Sequence, residues 1–250
     1  MAARMLSVLA AYDSDHPYRT LSDLARATGL PLSTTHRLVA ELVAWGALAR
    51  RPDGRYEVGR RLWDLGLLAP VSLGLRDLAL PFLQDISAAT GENAHLAVRD
   101  GTSALYVERI SGSRAVPIVS RSGTRLPLHA TGVGKVLLAH APDEVVAAAL
   151  TGLRRTTPYT VVAPGVLRRQ LADVRRRGYA ATAEEMTLGT RSVAVPVADG
   201  SGSVVAALGI VVASSRRDLT RLVPVLAVAA RGIVRAVEAG HTDSAVTTGG

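Results

Sequence analysis

The sequence predicts an α+β protein built from two parts that meet between residues 60 and 80. Before this boundary, apolar residues recur at helical spacing, and Asp53-Gly54 between two short alternating segments predicts one hairpin. From Ala94 onwards, apolar and polar residues alternate as in strands, with helical segments mixed among them. The last two predicted strands form a hairpin around residues 199–202, which favours α+β over a doubly wound sheet.

The composition is that of a folded protein, and it excludes several classes of site. The chain has 250 residues, of which 48% are hydrophobic and 20% charged, so it can bury a sizeable core. The lack of cysteine excludes disulfides, cysteine–zinc sites and thiol nucleophiles. The longest apolar stretches, residues 204–213 and 223–230, are too short to span a bilayer, and residues 1–12 lack the features of a signal peptide. We therefore expect a cytoplasmic protein without a membrane partner.

The charge balance favours a polyanionic partner. The formal net charge is +8, and Lys135 is the only lysine, so arginine supplies nearly all of the positive charge. Arginine suits phosphate because its planar guanidinium group donates two parallel hydrogen bonds. A solvated basic surface, or a bias in genome base composition, would produce the same excess of arginine. The charge is therefore compatible with nucleic-acid binding but does not establish it.

The first part is predicted to be a winged helix-turn-helix. After a first helix near the N-terminus, Thr20 followed by Asp23 resembles a capping box, and Gly29 is a plausible left-handed stop for the helix between them. The next helix opens at Pro31. Helix, short glycine-containing turn and helix is the helix-turn-helix arrangement, and a hairpin over residues 48–58 directly after it is a wing.

The start of the third helix is the candidate DNA-reading surface. In a helix-turn-helix protein the N-terminal residues of this helix reach base edges in the major groove. Residues 1–75 carry nine arginines against seven acidic residues, so affinity would come from clustering and from two copies in a dimer. The alternative is that Ser33 only caps the helix and that the other side chains are solvated. The candidate DNA-binding residues are Thr20, Ser22, Ser33, Thr34, Thr35, His36, Arg37, Arg51 and Arg55.

The second part is predicted to mix helices and strands. It is preceded by a linker helix, residues 62–71, and begins with a helix over residues 76–90. Strands are predicted at residues 94–99, 104–110, 115–120, 179–183, 191–197 and 204–212. Helices are predicted at residues 131–139, 143–150, 165–177 and 218–238, and the polar segment 241–250 is expected to be a disordered tail.

The sequence contains no complete catalytic or metal-binding pattern. Gly132-Val133-Gly134-Lys135 resembles the end of a phosphate-binding P-loop, but His129 and Val136 stand where that motif needs a glycine and a hydroxyl residue. The six histidines lack metal-ligand spacing, and Gly-x-Ser-x-Gly is absent. Glu184-Glu185 is interpreted as a solvated or ion-paired loop. We therefore expect no cofactor, no metal and no enzymatic activity.

Several segments, in this order and spacing, resemble the IclR family of bacterial transcriptional regulators. They are residues 21–25, 30–38 and 59–66 in the first part, and 126–135, 177–179, 184–185 and 189–192 in the second. The resemblance runs from about residue 3 to residue 238. The resemblance implies a GAF-like effector-binding domain, a homodimer or dimer of dimers, and binding to double-stranded operator DNA.

The resemblance also implies where a small-molecule effector would bind. In this family the segment matching Gly132-Val133-Gly134-Lys135 helps to form the effector pocket. The matching pocket positions here are Ala115, Ile118, Leu126, Gly132, Val133, Thr182, Thr190, Ser192, Gly209 and Val211.

Three of these positions depart from family members that bind small 2-oxo acids. Such members tend to have an acidic residue at the position of Thr182, and serines at the positions of Gly209 and Val211. The changes remove polar partners from the pocket, and each unpaired polar group costs about 1–3 kcal/mol. They predict a larger and more apolar effector, aromatic or with an aliphatic arm. Ordinary sheet packing is the alternative explanation, especially for Val211.

The resulting domain assignment is a DNA-binding domain (residues 1–60), a linker helix (61–75), an effector domain (76–240) and a tail (241–250). We expect a repressor-type regulator whose effector binds one arrangement of the sensor domains better than another, which changes the affinity for the operator. Two alternatives remain open. One is a DNA-binding protein whose second domain only assembles and binds no ligand, and the other is an enzyme fused to a DNA-binding domain.

Overall fold

The chain folds into two compact units, residues 1–73 and residues 74–250. The structure, a computed structural model, describes residues 1–13, 16–67, 74–216 and 218–247. The predicted linker helix is described as far as Leu67, and the rest of residues 62–71 lies outside the described residues.

The N-terminal unit is built around α1 (Ala2–Leu9), α2 (Leu21–Thr28) and α3 (Leu32–Trp45). Apolar residues recur at helical spacing on each helix, so the three apolar faces can meet in one core. The buried members of this core are Val8, Leu24, Leu38, Val39, Leu42, Ala47 and Leu48.

The ends of α2 follow the local signals in the sequence. The Thr20 hydroxyl accepts a hydrogen bond from the Asp23 N–H, and the Asp23 carboxylate accepts one from the Thr20 N–H, which completes the capping box. Gly29 ends the helix in the left-handed conformation, with φ 68°. In contrast, α3 begins after Pro31 without any side-chain cap, so Ser33 is not its cap.

The predicted hairpin is confirmed and gains a third strand. Strands β1 (Tyr18–Arg19), β2 (Leu48–Arg50) and β3 (Tyr56–Val58) form an antiparallel sheet in the order β1-β3-β2. Strand β1 has only two residues, too few for a hydrophobic period to show in the sequence. Helix α4 (Arg60–Leu67) follows the hairpin.

The C-terminal unit is organised by one antiparallel sheet. Its strands are β4 (Asn93–Asp100), β5 (Ser103–Ile110), β6 (Arg125–Pro127), β7 (Ala180–Ala183), β8 (Thr190–Ala198) and β9 (Val204–Ala213). They lie in the order β6-β5-β4-β9-β8-β7. The N- and C-terminal strands of the unit therefore meet at its centre, where β4 pairs with β9.

Helices cover both faces of this sheet. On one face, α5 (Leu75–Thr90) and α9 (Val223–Thr247) pack on alternate residues of β4 and β9, including Leu96 and Leu208. On the other face lie α6 (Gly132–Ala139), α7 (Asp143–Thr151) and α8 (Pro164–Arg177). Since side chains alternate along each strand, the neighbouring residues of β4 and β9 face this second layer.

The predicted strand at residues 115–120 is wrong. This segment belongs to the loop between β5 and β6, and the strand that pairs with the outer edge of β5 is β6. Pro117 has no N–H to give to a sheet, which disfavours a paired strand there. The loop is held instead by Asn93, whose Nδ2 donates a 2.9 Å hydrogen bond to the Val116 carbonyl.

The C-terminal helix begins and ends later than the sequence predicts. The Asp218 carboxylate accepts hydrogen bonds from the N–H and hydroxyl of Thr220, and a 3-10 turn over Thr220–Leu222 precedes α9. The helix extends to Thr247, into the segment where the expectation was a disordered tail. Gly240 costs only about 1 kcal/mol in a helix and does not by itself end one.

Candidate DNA-reading surface and effector pocket

The first turns of α3 present polar side chains to solvent. Ser33, His36 and Arg37 are exposed and Thr34 is partly exposed. Because α3 has no side-chain cap, the N–H groups of its first turn have no partner within the helix and can donate to a phosphate. Hydroxyl, imidazole and guanidinium groups are also the ones that reach base edges and phosphates in the major groove.

Two of the predicted DNA-reading hydroxyls are used inside the domain. Thr35 is fully buried, and its hydroxyl donates 3.1 Å to the Pro31 carbonyl, so it cannot face DNA. The helical period explains this, since Thr35 lies on the same side of α3 as the core residue Leu38. The Thr20 hydroxyl donates 2.7 Å to the Asp23 carboxylate within the capping box, whereas Ser22 remains exposed.

The two predicted wing arginines are paired with carboxylates. Arg51 donates 2.7 Å to Glu57, and Arg55 donates through Nε and Nη2 to Asp53 at 2.9 and 2.7 Å. Both guanidinium groups also lie over the Tyr18 ring, at 4.3 Å for Arg51 and 5.4 Å for Arg55. The wing is therefore a preformed cluster in which a phosphate would compete with carboxylates.

The sequence reasoning missed Arg50, the last residue of β2. Its side chain is exposed, its guanidinium carbon lies 6.0 Å from the Tyr56 ring centroid, and no carboxylate pairs with it among the described residues. Its place on the hairpin strand, next to Arg51, was the signal that could have found it. Arg50 is the wing cation that a phosphate could contact without displacing an ion pair.

A cavity of about 470 Å³, its open mouth included, lies in the C-terminal unit between the sheet and the start of α6. It brings together nine of the ten predicted effector positions, which are Ile118, Leu126, Gly132, Val133, Thr182, Thr190, Ser192, Gly209 and Val211. Ala115 is not among its lining residues. A mostly apolar lining with a few polar groups is typical of small-molecule sites.

Two glycines let α6 approach the sheet closely. A Cβ added to Gly209 would lie 2.8 Å from Val133 Cγ1, and one added to Gly132 would lie 2.6 Å from the Ser192 hydroxyl. Neither distance is compatible with normal packing, so a serine at position 209 would force the Val133 side chain or α6 to shift. Glycine at position 209 therefore allows α6 to pack closely on the sheet, in addition to removing the hydroxyl that a serine would supply.

The start of α6 supplies donors at the cavity wall. Thr131 caps the helix by accepting a 3.0 Å hydrogen bond from the Gly134 N–H. The N–H groups of Gly132 and Val133, in the first turn, have no partner within the helix. An anion is favoured at such a position by these donors and by the helix dipole.

Hydroxyl groups on β7 and β8 also line the cavity. The Thr182 and Ser192 hydroxyls lie 2.6 Å apart and bond each other. The Thr190 hydroxyl donates 2.7 Å to the Thr187 carbonyl. These groups can turn towards a polar ligand atom because a hydroxyl both donates and accepts.

A buried ion pair fixes one rim of the cavity. Lys135, on α6, donates to the Glu185 carboxylate at 2.5 Å and to the Gln170 side-chain oxygen at 2.8 Å. Burial lowers the pKa of Lys135, and the Glu185 charge opposes this shift. The pair ties the loop that carries the lining residue Met186 to α6, and it engages the ammonium group of the P-loop-like segment. Glu185 is thus the ion-paired member of the Glu184-Glu185 pair.

Further lining residues come from the sheet and were not predicted. His95 on β4 and Tyr106 on β5 are buried, with their ring centroids 5.5 Å apart in an edge-to-face arrangement. Burial raises the pKa of Tyr106 to about 12, partly offset by a hydrogen bond with Thr131, so its phenol stays protonated. Both residues lie on strands that the sequence predicts, but their meeting under α6 depends on long-range pairing.

Neither a metal site nor a membrane-spanning helix is found among the described residues. Within the residues that the structure describes, no three His, Cys, Asp or Glu side chains are grouped so as to hold a metal ion. No helix in that same part of the chain is both long and apolar enough to cross a membrane.

Comparison with known proteins identifies both units. The IclR helix-turn-helix domain matches residues 2–52, and the C-terminal domain of the bacterial transcriptional regulator IclR matches residues 69–238. The HTH-type transcriptional regulator XynR of Escherichia coli (strain K12) is 36% identical over 218 residues, covering 86% of each chain. The HTH-type transcriptional repressor AllR of the same strain is 31% identical over 223 residues, covering 88% of this chain and 82% of AllR.

Solved structures of IclR proteins also match this chain. An IclR homolog from Microbacterium hydrocarbonoxydans, complexed with 4-hydroxybenzoate, superposes with a TM-score of 0.90 and 38% identity, covering 95% of this chain and 99% of that one. The match includes both units and the cavity-bearing sheet. The chain therefore belongs to the IclR family of bacterial helix-turn-helix transcriptional regulators.

Proposed function

We propose that this regulator represses transcription from an operator and that an aromatic carboxylic acid is its effector. The observation that carries the proposal is the cavity under α6, which is lined mostly by apolar side chains and bordered by a helix N-terminus. The relative that binds 4-hydroxybenzoate supports this choice, since it is 38% identical over nearly the whole chain.

The cavity suits a flat ring with an acidic group. Leu126, Val133 and Met186 offer apolar contact, and Tyr106 offers an aromatic ring. A ligand carboxylate would be stabilised by the N–H groups at the start of α6 and by the neighbouring hydroxyls, rather than by a cationic side chain inside the cavity. Such a site explains why Gly209 and Val211 can replace serines without leaving the acid unpaired.

Operator binding would use the exposed start of α3 together with Arg50 of the wing. The N-terminal unit has little net charge, so one copy would bind DNA weakly. A homodimer, or a dimer of dimers, would place two or more such surfaces on one operator and multiply their affinities. We propose this assembly as the DNA-binding form, acting in the cytoplasm where the chromosome is accessible.

Regulation would follow from linkage between the two ligands. An effector that binds one state of the protein more tightly shifts the population towards that state, and the affinity for the operator changes by the same coupling factor. This role needs no chemical reaction at the cavity. The names of XynR and AllR state a role in transcriptional regulation for those relatives.

The test is fluorescence anisotropy of labelled DNA from the region flanking the protein's own gene, with and without 4-hydroxybenzoate. We expect the apparent Kd for DNA to change at saturating effector, typically by about 5- to 150-fold. Ile118→Trp would fill the cavity and abolish the response, whereas Leu188→Trp, on an exposed side chain outside the lining, would not. Selective DNA binding that never responds to any aromatic acid would contradict the effector proposal.

The second candidate, a C-terminal domain that only assembles, differs in one observable. A ligand that binds the folded unit raises its melting temperature with ligand concentration, whereas a purely structural domain shows no shift. The mostly apolar cavity favours the sensing role.

A further inference from the structure

His95 is a buried polar residue whose ring nitrogens have no partner among the described residues. Its side chain is 2% exposed and lies at the cavity wall, on the strand β4 at the centre of the sheet. Across the sheet it is level with Arg109 on β5 and with Gly209 on β9. Gly209 has no side chain, and Val133 of α6, another residue of the cavity lining, packs over it.

Neither ring nitrogen of His95 has a hydrogen-bond partner in the part of the chain that the structure describes. The Tyr106 ring meets the imidazole edge to face and gives no hydrogen bond to it. The Arg109 guanidinium donates elsewhere, to the Ser120 carbonyl at 2.9 Å and to the Ser111 hydroxyl at 2.6 Å. Buried polar side chains are almost always paired, so a partner from outside the protein is expected here.

The imidazole is uncharged at neutral pH. Burial, together with the nearby positive charge of Arg109, lowers the pKa of His95 from 6.5 to about 3. A neutral imidazole carries one N–H donor and one nitrogen acceptor. It is therefore not a cationic partner for a carboxylate, which the N-terminus of α6 suits better.

We propose that His95 recognises a hydroxyl group on the ring of the effector and so selects hydroxylated over unsubstituted aromatic acids. This inference rests on the proposed aromatic-acid effector and adds the specificity of the same site. A hydroxyl both donates and accepts, so it pairs with whichever ring nitrogen faces the cavity. A hydrogen, a methyl group or a halogen at that place would leave the imidazole unpaired.

The first experiment is calorimetric titration of the full-length protein with benzoate and with 2-, 3- and 4-hydroxybenzoate. We expect at least one hydroxybenzoate to bind about 5- to 100-fold more tightly than benzoate, because the analogue without the hydroxyl leaves a buried group unsatisfied. Equal affinity for all four acids would overturn the proposal and point to ordered water as the partner of His95. Failure to bind any of the four would overturn the aromatic-acid effector itself.

The matched variants are His95→Phe and His95→Gln. Phenylalanine keeps a flat ring without polar atoms, so the preference for the hydroxybenzoate should fall to within about twofold. Glutamine keeps a donor and an acceptor and should retain part of the preference. An unchanged preference in His95→Phe would refute the role of His95 and leave the effector class intact.

A measurement on the wild type does not depend on how the variants fold. In ¹⁵N-labelled protein, the long-range proton–nitrogen spectrum of the histidine rings reports the tautomer and hydrogen bonding of His95. Addition of the preferred hydroxybenzoate should shift its ring nitrogens, whereas benzoate should shift them much less. Equal shifts for the two acids would count against the proposal.

Discussion

Replacing Gly209 by alanine tests whether the close packing of α6 on the sheet requires a glycine at this position. The added Cβ would lie 2.8 Å from Val133 Cγ1, and 3.3 Å from both the Ala194 Cβ and the Val193 carbonyl oxygen. Ordinary contact between carbon atoms is at about 3.5–4.0 Å. Val133 or the whole of α6 would therefore have to move by about 0.7–1.2 Å.

The expected cost is that of overpacking a core, about 1–3 kcal/mol in the free energy of unfolding. For a chain of this size the corresponding fall in Tm is about 2–4 °C per kcal/mol. Differential scanning calorimetry of the full chain would measure it. Gly165→Ala is the matched control, because its added Cβ meets only the Arg169 side chain at 3.9 Å and replaces a glycine within α8.

A double variant isolates the contact. Val133→Ala removes the Cγ1 atom that the new Cβ would strike, so Gly209→Ala should cost less in the Val133→Ala background than in the wild type. A coupling free energy of zero between the two substitutions would refute the proposed collision. A rise in Tm for Gly209→Ala alone would refute it as well.

The other predictions concern DNA affinity, acid stability and a helix cap. Arg37→Ala should weaken operator binding and reduce the salt dependence of DNA affinity by about one phosphate contact per protomer. Fluorescence anisotropy at graded salt concentrations measures both effects. Arg221→Ala, in the C-terminal unit, should change neither. Burial lowers the pKa of His95 to about 3 in the folded protein, so the free energy of unfolding is highest above pH 6.5 and falls as the pH decreases towards 3. The expected fall in the free energy of unfolding is about 2 kcal/mol by pH 5. Urea unfolding at pH 7.5 and 5.0 should show this fall in the wild type and not in His95→Phe. Thr131→Ala removes the acceptor for the Gly134 N–H and should cost about 1 kcal/mol in thermal unfolding, with Thr131→Ser largely restoring it.

Each of these predictions has a result that contradicts it. An unchanged salt slope in Arg37→Ala would remove that residue from the phosphate contacts. Parallel acid profiles of the wild type and His95→Phe would mean that the imidazole is not held neutral. A wild-type Tm in Thr131→Ala would show that the cap contributes nothing.

Features with a local cause were predictable from the sequence. The capping box joins Thr20 and Asp23, which are three positions apart in the sequence. The end of α2 at Gly29 depends on the backbone conformation of that one residue. The wing hairpin also follows from one turn. The burial of Thr35 was equally accessible, since the helical period places it with Leu38.

Features that depend on distant pairing were not predictable. Lys135 and Glu185 are 50 positions apart, and the sequence around either residue does not predict that the two form an ion pair. His95 reaches the cavity only because β4 pairs with the last strand, β9. The loop around Pro117 resembles a strand in sequence because it is a short apolar run rich in β-branched residues, but the edge of the sheet is formed by β6.

The carboxylates of the wing bear on how the protein finds its operator. Asp53 and Glu57 hold Arg55 and Arg51 in place, and they also cancel part of the positive charge that would attract any stretch of duplex. A chromosome offers about 10⁶–10⁹ competing sites, so the ratio of operator affinity to affinity for random DNA decides occupancy. We expect a wing with its own counterions to reduce capture by random DNA more than it reduces operator binding. The acidic residues would then shorten the time that the repressor spends at wrong sites.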